Sequence, residues 1–273
     1  MRFTRPTAAL AALALAAACA EAPAPTAAGP SLITYGTPTG SDWGSVGALL
    51  FDFDRNGKYN GDDQLCTGSL ISATVFLTAA HCVEFLPADA QLHVTFAPDL
   101  YKKGIKTIAA TGFAYDPGYW HDNGDPHDIA VVLLPKGATT GMEIYQLPPA
   151  GYLDQLSAQG ALGRQLFVNV GYGTGNSSTG EPRFPYDGLR KTSKSEYMGL
   201  RQYWLGLLMN ANATGEGGDC YGDSGGPKFI DGNPHMVVAT VITGDIPCRA
   251  TSWNYRLDTD SARDFLAPYV TLP

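Results

Sequence analysis

The chain has 273 residues, which is enough for one large domain or two small ones with a substantial core. Its formal net charge is −8 and its basic residues form no tract, so nucleic acid is not an expected partner, because binding it needs a concentrated positive surface. The 32 Gly and 19 Pro residues, without a long charged helical run, favour an all-β protein with many turns.

The N-terminal residues have the pattern of an export signal. Arg2 and Arg5 precede an apolar run, Ala8–Ala18, that is too short to cross a bilayer as a helix of the mature protein. Residues 1–20 are therefore predicted to be a signal peptide, and residues 21–31 a linker or propeptide. The mature protein is expected outside the cell or in the cell envelope, without a transmembrane helix.

The end of this signal has two interpretations. The sequence Ala-Cys-Ala around Cys19 suits an ordinary signal peptidase, which would release the protein. The segment Leu-Ala-Ala-Ala-Cys that ends at Cys19 instead resembles a bacterial lipoprotein box, in which the cysteine is acylated and becomes the new N-terminus. A released protein and one with a lipid anchor at Cys19 both fit the sequence.

The remaining cysteines fit an exported protein with disulfide bonds. They are Cys66, Cys82, Cys220 and Cys248. Four cysteines in an oxidising compartment favour disulfides and allow three pairings. Pairing the cysteines that are nearest in the sequence favours Cys66 with Cys82 and Cys220 with Cys248. Each bond would stabilise the fold by about 3 kcal/mol.

From about Ser31 onward, the sequence consists of short β segments separated by turns rich in Gly, Pro, Asn and Asp. The first group of predicted strands is Val46–Phe53, Leu65–Ser72, Val75–Ala79, Leu92–Phe96, Thr107–Phe113 and Ile129–Leu134. The second group is Leu166–Val170, Gly199–Leu208, Lys228–Ile230, His235–Thr243 and Ser252–Arg256. Only the tail, Ser261–Tyr269, has a helix-like pattern, and Leu147–Gly151 is a natural junction between the groups. This order predicts two β-barrels and a C-terminal helix.

Three short segments carry the chemistry: Thr78–Cys82, Asp128–Leu134 and Gly222–Pro227. A serine hydroxyl is a poor nucleophile until a base removes its proton. A neutral histidine can do so near pH 7, and it works best when a buried carboxylate fixes its tautomer. These groups are present as Ser224, His81 and Asp128. The glycines beside Ser224 permit a tight turn, in which the N–H groups of Gly222 and Ser224 can stabilise an oxyanion.

Together the three segments resemble the signature blocks of the trypsin/chymotrypsin family, in that family's chain order of His, Asp and Ser. The resemblance extends from about Ile33 to Tyr269, and the Cys-Thr-Gly-Ser-Leu-Ile segment that starts at Cys66 is similar to the one before the family's histidine. Cys82 and Cys220 stand where the family's disulfide partners stand.

The resemblance implies an all-β fold in which two six-stranded antiparallel β-barrels pack together, with a short C-terminal helix. The protease domain would comprise residues 32–273, with halves of about 32–145 and 146–273. Family zymogens are cut so that a new apolar N-terminus pairs with the Asp before the nucleophile, here Asp223. The segment Ile33–Gly36 is a loose match to that N-terminus, so cleavage after Leu32 is our hypothesis.

The function implied is that of a secreted serine endopeptidase acting on proteins or peptides through an acyl-enzyme, with no required cofactor. Ser224 would be the nucleophile, His81 the general base and acid, and Asp128 the group that orients it. The alternative is a catalytically silent homologue that binds protein. An α/β-hydrolase, whose G-x-S-x-G motif is also present, is excluded because only His235 follows Ser224 and the alternation of strands and helices is absent.

The residues expected to bind substrate depart from the family pattern. The family's pocket floor lies at Gly218, and the neighbouring Asp219 either contacts a basic substrate side chain or faces solvent. A tryptophan at Trp253, near a place where the family often has Gly, would shrink the pocket. The segment that would pair with extended peptide consists of Ile242, Thr243 and Gly244. Ile242 replaces a Ser that in the family usually bonds the catalytic Asp.

One further segment matches the oxygen spacing of a calcium-binding loop. It contains Asp52, Asp54, Asn56, Gly57 at the sharp turn, and Asp63 as the terminal carboxylate. Asp63 replaces the usual bidentate Glu, and the loop joins two predicted strands where such a loop usually joins two helices. Turns rich in Asp, Asn and Gly also occur without a metal, so structural calcium and a plain turn are the two interpretations.

Overall fold

The structure is a computed structural model, and it describes Met1 and residues 35–122, 124–175 and 184–273. The lipid-box cysteine, Cys19, the predicted linker and the hypothetical cut after Leu32 lie outside the described residues. The strands are β1 (Thr37–Pro38), β2 (Val46–Phe51), β3 (Gln64–Ser72), β4 (Val75–Thr78), β5 (Leu92–Thr95), β6 (Ile108–Ala109), β7 (Gly112–Tyr115), β8 (Ala130–Leu133), β9 (Leu166–Gly171), β10 (Lys191–Leu200), β11 (Trp204–Leu208), β12 (Pro227–Ile230), β13 (Asn233–Gly244) and β14 (Thr251–Arg256). The helices are α1 (Tyr152–Ala158), α2 (Ala211–Thr214) and α3 (Asp260–Leu266), and 3₁₀ turns occur at Gly61–Asp63 and Ala80–Cys82. None of the helices in the described ranges is long and apolar enough to cross a membrane.

The first sheet has the strand order β6-β5-β2-β3-β4-β8-β7, with antiparallel neighbours throughout. Its edge strands, β6 and β7, are separated in the chain only by Ala110 and Thr111. The N–H of Ala110 donates to the carbonyl of Leu92 in β5, next to one edge, and the N–H of Thr111 donates to the carbonyl of Leu133 in β8, next to the other. The sheet therefore curls until its two edges meet, and β6 with β7 acts as one bent strand.

The second sheet closes by hydrogen bonding. Its order is β10-β11-β14-β13-β12-β9, and β9 also pairs with β10, which makes a six-stranded barrel. The short β1 joins the outer side of β10. Together with α3 near the C-terminus, the two barrels confirm the predicted fold class. The boundary near residue 145 stays a prediction: β2–β8 precede it and β9–β14 follow it, whereas β1 crosses it to pair with β10.

Several elements differ from the sequence-based expectation. The predicted strand Gly199–Leu208 is divided by a turn between β10 and β11, and most of β10, residues 191–198, lies outside the prediction. The buried positions of β10 include Ser193 and Ser195, whose hydroxyls accept hydrogen bonds from Asn169. A polar buried face gives no apolar alternation to detect. The helix α1 was also not expected, because the sequence showed a helical pattern only in the tail.

The two barrels share a continuous hydrophobic core at their junction. The first barrel contributes Val46 and Val131, the second contributes Val170 and Phe229, and α3 adds Leu266. All of these side chains are at least nine-tenths buried. Fully burying an aliphatic or aromatic side chain stabilises a fold by about 1.5–3 kcal/mol. The packing at this junction therefore holds the residues that lie along it in fixed positions.

Candidate active site

His81 and Asp128 are brought together by the pairing of β4 with β8. The strands are antiparallel, with Thr78 opposite Ala130. His81 follows the end of β4 in a 3₁₀ turn, and Asp128 precedes the start of β8. Both residues therefore lie at the same end of the strand pair. Consecutive residues of β8 are buried on both faces, with Val131 in one core and Ala130 and Val132 in the other. A shift of this register by one residue would exchange these side chains between the two cores, so core packing fixes the position of the two groups.

Asp128 engages His81 with both carboxylate oxygens. The backbone N–H of His81 donates to Asp128 Oδ1 at 2.9 Å, and His81 Nδ1 lies 2.7 Å from Oδ2. Asp128 is 2% exposed, whereas 28% of the His81 side chain is exposed. An ionised carboxylate only accepts hydrogen bonds, so the proton of a neutral imidazole here lies on Nδ1. His81 Nε2 then keeps its lone pair and can take a proton.

Ser224 lies in the turn that precedes β12, and the first barrel holds this turn. The carbonyl of Ser224 accepts the N–H of Thr67 at 2.9 Å. Gly225 has a φ of 75°, and a β-carbon there would lie 2.3 Å from Thr78 Oγ1. Only glycine permits this approach, and it brings Ser224 to the end of β4, where His81 follows.

Ser224 and His81 line one cavity. Among the described residues, no hydrogen bond joins their side chains, and the N–H groups of Gly222 and Ser224 have no acceptor. The carbonyl of Gly222 accepts from Gln64 Nε2 at 2.8 Å and from Thr67 Oγ1 at 2.9 Å. The turn is thus anchored through its carbonyl, and both N–H groups are available to a ligand.

Asp223, beside the serine, is fully buried. Its Oδ1 accepts the N–H of Gly173 at 2.8 Å, and its Oδ2 accepts the N–H of Cys220 at 2.9 Å. Burial raises the pKa of Asp223 to about 7, and the charge of Asp219 acts in the same direction. The two N–H groups and the Lys228 ammonium favour the ionised form and offset part of this rise.

Both predicted disulfides are formed. Cys66 pairs with Cys82, and Cys220 pairs with Cys248. The first bond ties β3 to the turn that carries His81. The second ties the serine turn to the segment between β13 and β14, and its two cysteines line the cavity.

The cavity beside Ser224 has a volume of about 420 Å³. Four of the five predicted substrate-binding residues line it: Asp219, Ile242, Thr243 and Gly244. Gly218 does not form its surface, because a β-carbon at Gly218 would lie 2.4 Å from Met209 Cβ and Sδ. The Met209 side chain packs directly on Gly218 and lines the cavity in its place. The predicted pocket floor is therefore covered by a methionine from the end of β11.

The prediction that Trp253 shrinks the cavity is wrong. Side chains in β14 alternate, and Ser252 and Asn254 are fully buried inside the barrel. Trp253 lies on the outer face, where the Arg201 guanidinium is 4.6 Å from its ring centroid. Ser252 is the residue that lines the cavity. Adjacent residues of a strand lie on opposite faces, so the expected position and the inward-facing residue differ by one place in the chain.

Asp219 is paired inside the barrel and does not face bulk solvent. It is 5% exposed, and its Oδ1 lies 2.5 Å from Nζ of Lys228, which is fully buried in β12. Ser252 Oγ donates to the other oxygen of Asp219 at 2.7 Å. The sequence did not single out Lys228, although a lysine next to Phe and Ile in a short central strand is a signal of a buried charge that needs a partner.

A second hollow of about 390 Å³ lies on the other side of His81, and Trp120 and Trp204 line it. Ile242 and Thr243 border both this hollow and the cavity beside Ser224. In the described sheet, the pairing of β12 with β13 ends opposite Thr240, and Val241 still exchanges backbone hydrogen bonds with Gly225 and Gly226. Residues 242–244 of β13 keep a free edge on that side. Such an edge can accept an extended peptide, in keeping with the predicted β-augmentation.

The predicted calcium loop forms the turn between β2 and β3. Asp52, Asp54 and Asp63 each place a carboxylate oxygen within 4.8 Å of the others. Asn56 departs from the expected ligand set, because its Nδ2 donates to Asp54 and its Oδ1 accepts the N–H of Lys58. Burial raises the pKa of Asp63, and the charges of Asp54 and Asp52 add to the rise. The three carboxylates suit a hard cation, and calcium binding stays a prediction.

A two-barrel β fold with a His–Asp pair next to a glycine-framed serine is typical of chymotrypsin-like serine hydrolases. A family model described as Trypsin matches residues 52–255, which is well over half of the chain. The chain therefore belongs to the trypsin family of serine proteases, whose members act on proteins or peptides.

Known relatives are distant. The chain is 28% identical over 190 residues to rat coagulation factor XII, in a match that covers 62% of this chain and 30% of that protein. It is 26% identical over 197 residues to trypsin alpha of Drosophila melanogaster, with 70% and 68% covered. Among solved structures, human heparin binding protein has a TM-score of 0.63 at 16% identity, over 88% of this chain and 99% of that one. The VesB protease of Vibrio cholerae has a TM-score of 0.60 at 18% identity, over 87% and 67%. The two structures support the fold.

Proposed function

We propose that the chain is a secreted serine endopeptidase that hydrolyses peptide bonds through an acyl-enzyme on Ser224. The observation that carries this proposal is the contact of His81 with the buried carboxylate of Asp128, with Nδ1 2.7 Å from Oδ2, beside a cavity that Ser224 also lines. A carboxylate that holds the imidazole in one tautomer prepares Nε2 to accept a proton.

The reaction follows from these groups. His81 Nε2 takes the proton of the Ser224 hydroxyl as Oγ forms a bond to the substrate carbonyl carbon, and the carbonyl oxygen becomes an oxyanion. The N–H groups of Gly222 and Ser224 stabilise that charge. The C–N bond then breaks, and the imidazolium of His81 gives its proton to the leaving amine. Water attacks the acyl-enzyme with the same base, which releases the acid and restores Ser224.

The contact between Ser224 Oγ and His81 Nε2 closes during this reaction. The hydroxyl turns about a single bond, and hydrogen bonds of this kind are often long in free enzymes and tighten when substrate binds. The partial exposure of His81 leaves its ring accessible from the cavity. The absence of that hydrogen bond from the structure is thus compatible with the assigned roles.

We also propose that the protein is exported, with residues 1–20 as its signal and residues 32–273 as the protease domain. The two disulfide bonds support an oxidising compartment, because such bonds persist there. A lipid anchor at Cys19 and a released form differ in the intact mass of the exported protein.

Labelling and substitution of the nucleophile test the proposed activity. A fluorophosphonate probe is expected to label Ser224, and Ser224→Ala is expected to abolish labelling and to lower kcat by about 10⁴-fold or more. Ser157→Ala is the matched control, since Ser157 is exposed on α1, and it keeps full activity. A folded protein that neither reacts with the probe nor cleaves a peptide library would support the alternative, a silent homologue that binds protein.

A further inference from the structure

Two carboxylates line the cavity beside Ser224, and they belong to Asp219 and Asp245. A free carboxylate in such a place would attract a basic substrate side chain, because an isolated buried charge needs a partner. The partners that each carboxylate already has within the protein therefore decide which side chains the cavity accepts.

Both oxygens of Asp219 are occupied. Lys228 Nζ lies 2.5 Å from Oδ1, and Ser252 Oγ donates to Oδ2 at 2.7 Å. A substrate cation that approached Asp219 would meet the Lys228 ammonium next to it. Such a cation would give up its water and gain little from a carboxylate that is already paired.

Asp245 is occupied as well, by the backbone of its own loop. Its Oδ1 accepts the N–H groups of Ala250 and Thr251 at 2.8 and 2.6 Å, and its Oδ2 accepts the N–H of Arg249 at 2.9 Å. This carboxylate caps the loop that leads from the Cys220–Cys248 disulfide into β14. Its hydrogen bonds hold the cavity wall in place and leave little capacity for a ligand.

Lys228 cannot leave Asp219 to make room for a substrate. It lies in β12, between β9 and β13, with Asn169 and Ala239 opposite it. Its side chain has no exposed surface, and burial lowers its pKa, whereas the contact with Asp219 and the charge of Asp223 favour the ammonium form and offset part of this fall. A charged group enclosed on all sides by a closed barrel keeps its partner, because breaking a buried ion pair is strongly unfavourable.

Apart from Ser252, which bonds Asp219, the cavity wall includes several apolar groups. Met209, Val241 and the Cys220–Cys248 disulfide contribute to it. We propose that Lys228 determines substrate specificity by neutralising Asp219, so that the cavity accepts an uncharged, mainly apolar side chain before the cleaved bond and rejects Lys and Arg. This inference rests on the proposed function, since it names the substrates of the same site.

Cleavage profiling on a peptide library tests the inference. For the unaltered protein, kcat/KM after Leu, Met or Phe is expected to exceed that after Lys or Arg by about tenfold or more. Lys228→Met keeps the length of the side chain and removes its charge, which leaves Asp219 without a cation. The ratio is then expected to move about 100-fold toward Lys and Arg. The double variant Lys228→Met/Asp219→Asn removes both charges, and its ratio is expected to return to that of the unaltered protein.

Lys194→Met is the matched control, because Lys194 pairs with Asp231 at the surface and is expected to leave the ratio unchanged. A preference of the unaltered protein for Lys or Arg would overturn the inference, as would a folded Lys228→Met variant with an unchanged ratio. If Lys228→Met does not fold, the cleavage ratio of the double variant Lys228→Met/Asp219→Asn tests the inference. Loss of cleavage after Lys and Arg in that variant would mean that Asp219 serves basic side chains after all.

A binding measurement separates this inference from the proposed activity. In the Ser224→Ala variant, calorimetry compares two otherwise identical peptides whose C-terminal residue is Leu or Lys. The Leu peptide is expected to bind about tenfold or more tightly, and the Lys228→Met substitution is expected to reverse the order. The binding measurement requires no catalysis, so it tests the cavity inference by itself. A failure of the fluorophosphonate probe to label Ser224 would count only against the proposed endopeptidase activity. Equal or reversed affinities would count against the cavity inference alone.

Discussion

Asp223 shows how strongly the environment sets the state of a single residue next to the nucleophile. The β-carbon positions of Gly171 and Gly173 would lie within 2.2 Å of the Asp223 carboxylate, so two glycines make the space that it occupies. In this space the pKa of Asp223 rises to about 7. The folded protein therefore binds a proton at pH values where the unfolded chain has already released it.

A pH-dependent loss of stability follows from this shift. The folded pKa of Asp223, about 7, lies above its ordinary value of 3.8, so the stability that this group contributes is full below about pH 4 and is lost as the pH rises to about 7. In the Ser224→Ala background, which cannot cut itself, we expect Asp223→Asn to flatten the fall of Tm between about pH 5 and 7.5. The dependence of Tm on pH is measured by thermal unfolding, monitored by circular dichroism, at each pH.

Asp89→Asn is the control for that experiment. The Asp89 side chain is exposed, so its substitution is expected to leave the slope of Tm against pH unchanged. Parallel curves for Asp223→Asn and its parent would show that Asp223 is ionised throughout this range. A cut after Leu32 that brought a terminal ammonium to Asp223 would lower its pKa and also flatten the parent curve.

At the scale of residues, the sequence predicts the chemistry better than the selection of substrate. His81, Asp128 and Ser224 each lie in a short motif with its own local signal. The apolar neighbours of Lys228 indicate a buried charge but not its partner, because Asp219 becomes a neighbour only when β12 enters the barrel. The error at Trp253 has a similar cause, since only the register of β14 decides which of two adjacent residues faces inward.

The loop between β2 and β3 is an element whose stability we expect to depend on calcium. Asp52, Asp54 and Asp63 hold three negative charges close together, and a bound cation would relieve their repulsion. Calcium at about 100 times its Kd would add about 2.7 kcal/mol to the free energy of unfolding, and Tm would rise by about 2–4 °C per kcal/mol. Comparing Tm in calcium and in chelator measures this.

The variant Asp54→Asn provides the matched test, because it removes one carboxylate and keeps the side-chain size. It is expected to lose most of the rise in Tm with calcium, while Asp89→Asn keeps it. In chelator, Asp54→Asn is expected to be as stable as the parent or more so, since one repulsive charge is gone. An equal Tm in calcium and chelator for the parent protein would leave the loop as a plain turn.

At the scale of elements, prediction succeeds where one face of a strand is apolar. The predictions of β2, β5 and β8 agree with the structure to within a few residues because their buried side chains are mainly Val, Leu and Ala. Most of β10 was not predicted because its inner face is polar. Asn169 donates hydrogen bonds to Ser193 and Ser195, and Ser195 also donates to the carbonyl of Gly217. This polar interior continues to the Lys228–Asp219 pair, so the least predictable strand and the least predictable site residue belong to one region.

The two barrels are joined by a buried arginine as well as by their apolar core. Arg190 lies directly before β10 and is 1% exposed. Its guanidinium donates to the carbonyls of Val46, Phe96, Gly40 and Asp42 and to Thr39 Oγ1, at 2.8–3.3 Å. Arg190 thereby ties the second barrel to the first barrel and to the segment after β1. The role of Arg190 cannot be predicted from the neighbouring sequence, because its hydrogen-bond acceptors come from distant parts of the chain.

Replacing Arg190 is expected to weaken the whole molecule. Arg190→Lys keeps the charge, but one ammonium cannot reach carbonyls on opposite sides of a planar guanidinium, so at least two buried acceptors lose their donor. Each costs about 1–3 kcal/mol, so two cost about 2–6 kcal/mol, and at about 2–4 °C per kcal/mol Tm should fall by about 4–24 °C. Arg164→Lys, at an exposed position, is the control and should leave Tm unchanged. Because Thr67 in the first barrel holds the turn of Ser224 in the second, kcat should also fall in Arg190→Lys below its Tm. A variant with parental Tm and kcat would show that the apolar core alone fixes the two barrels.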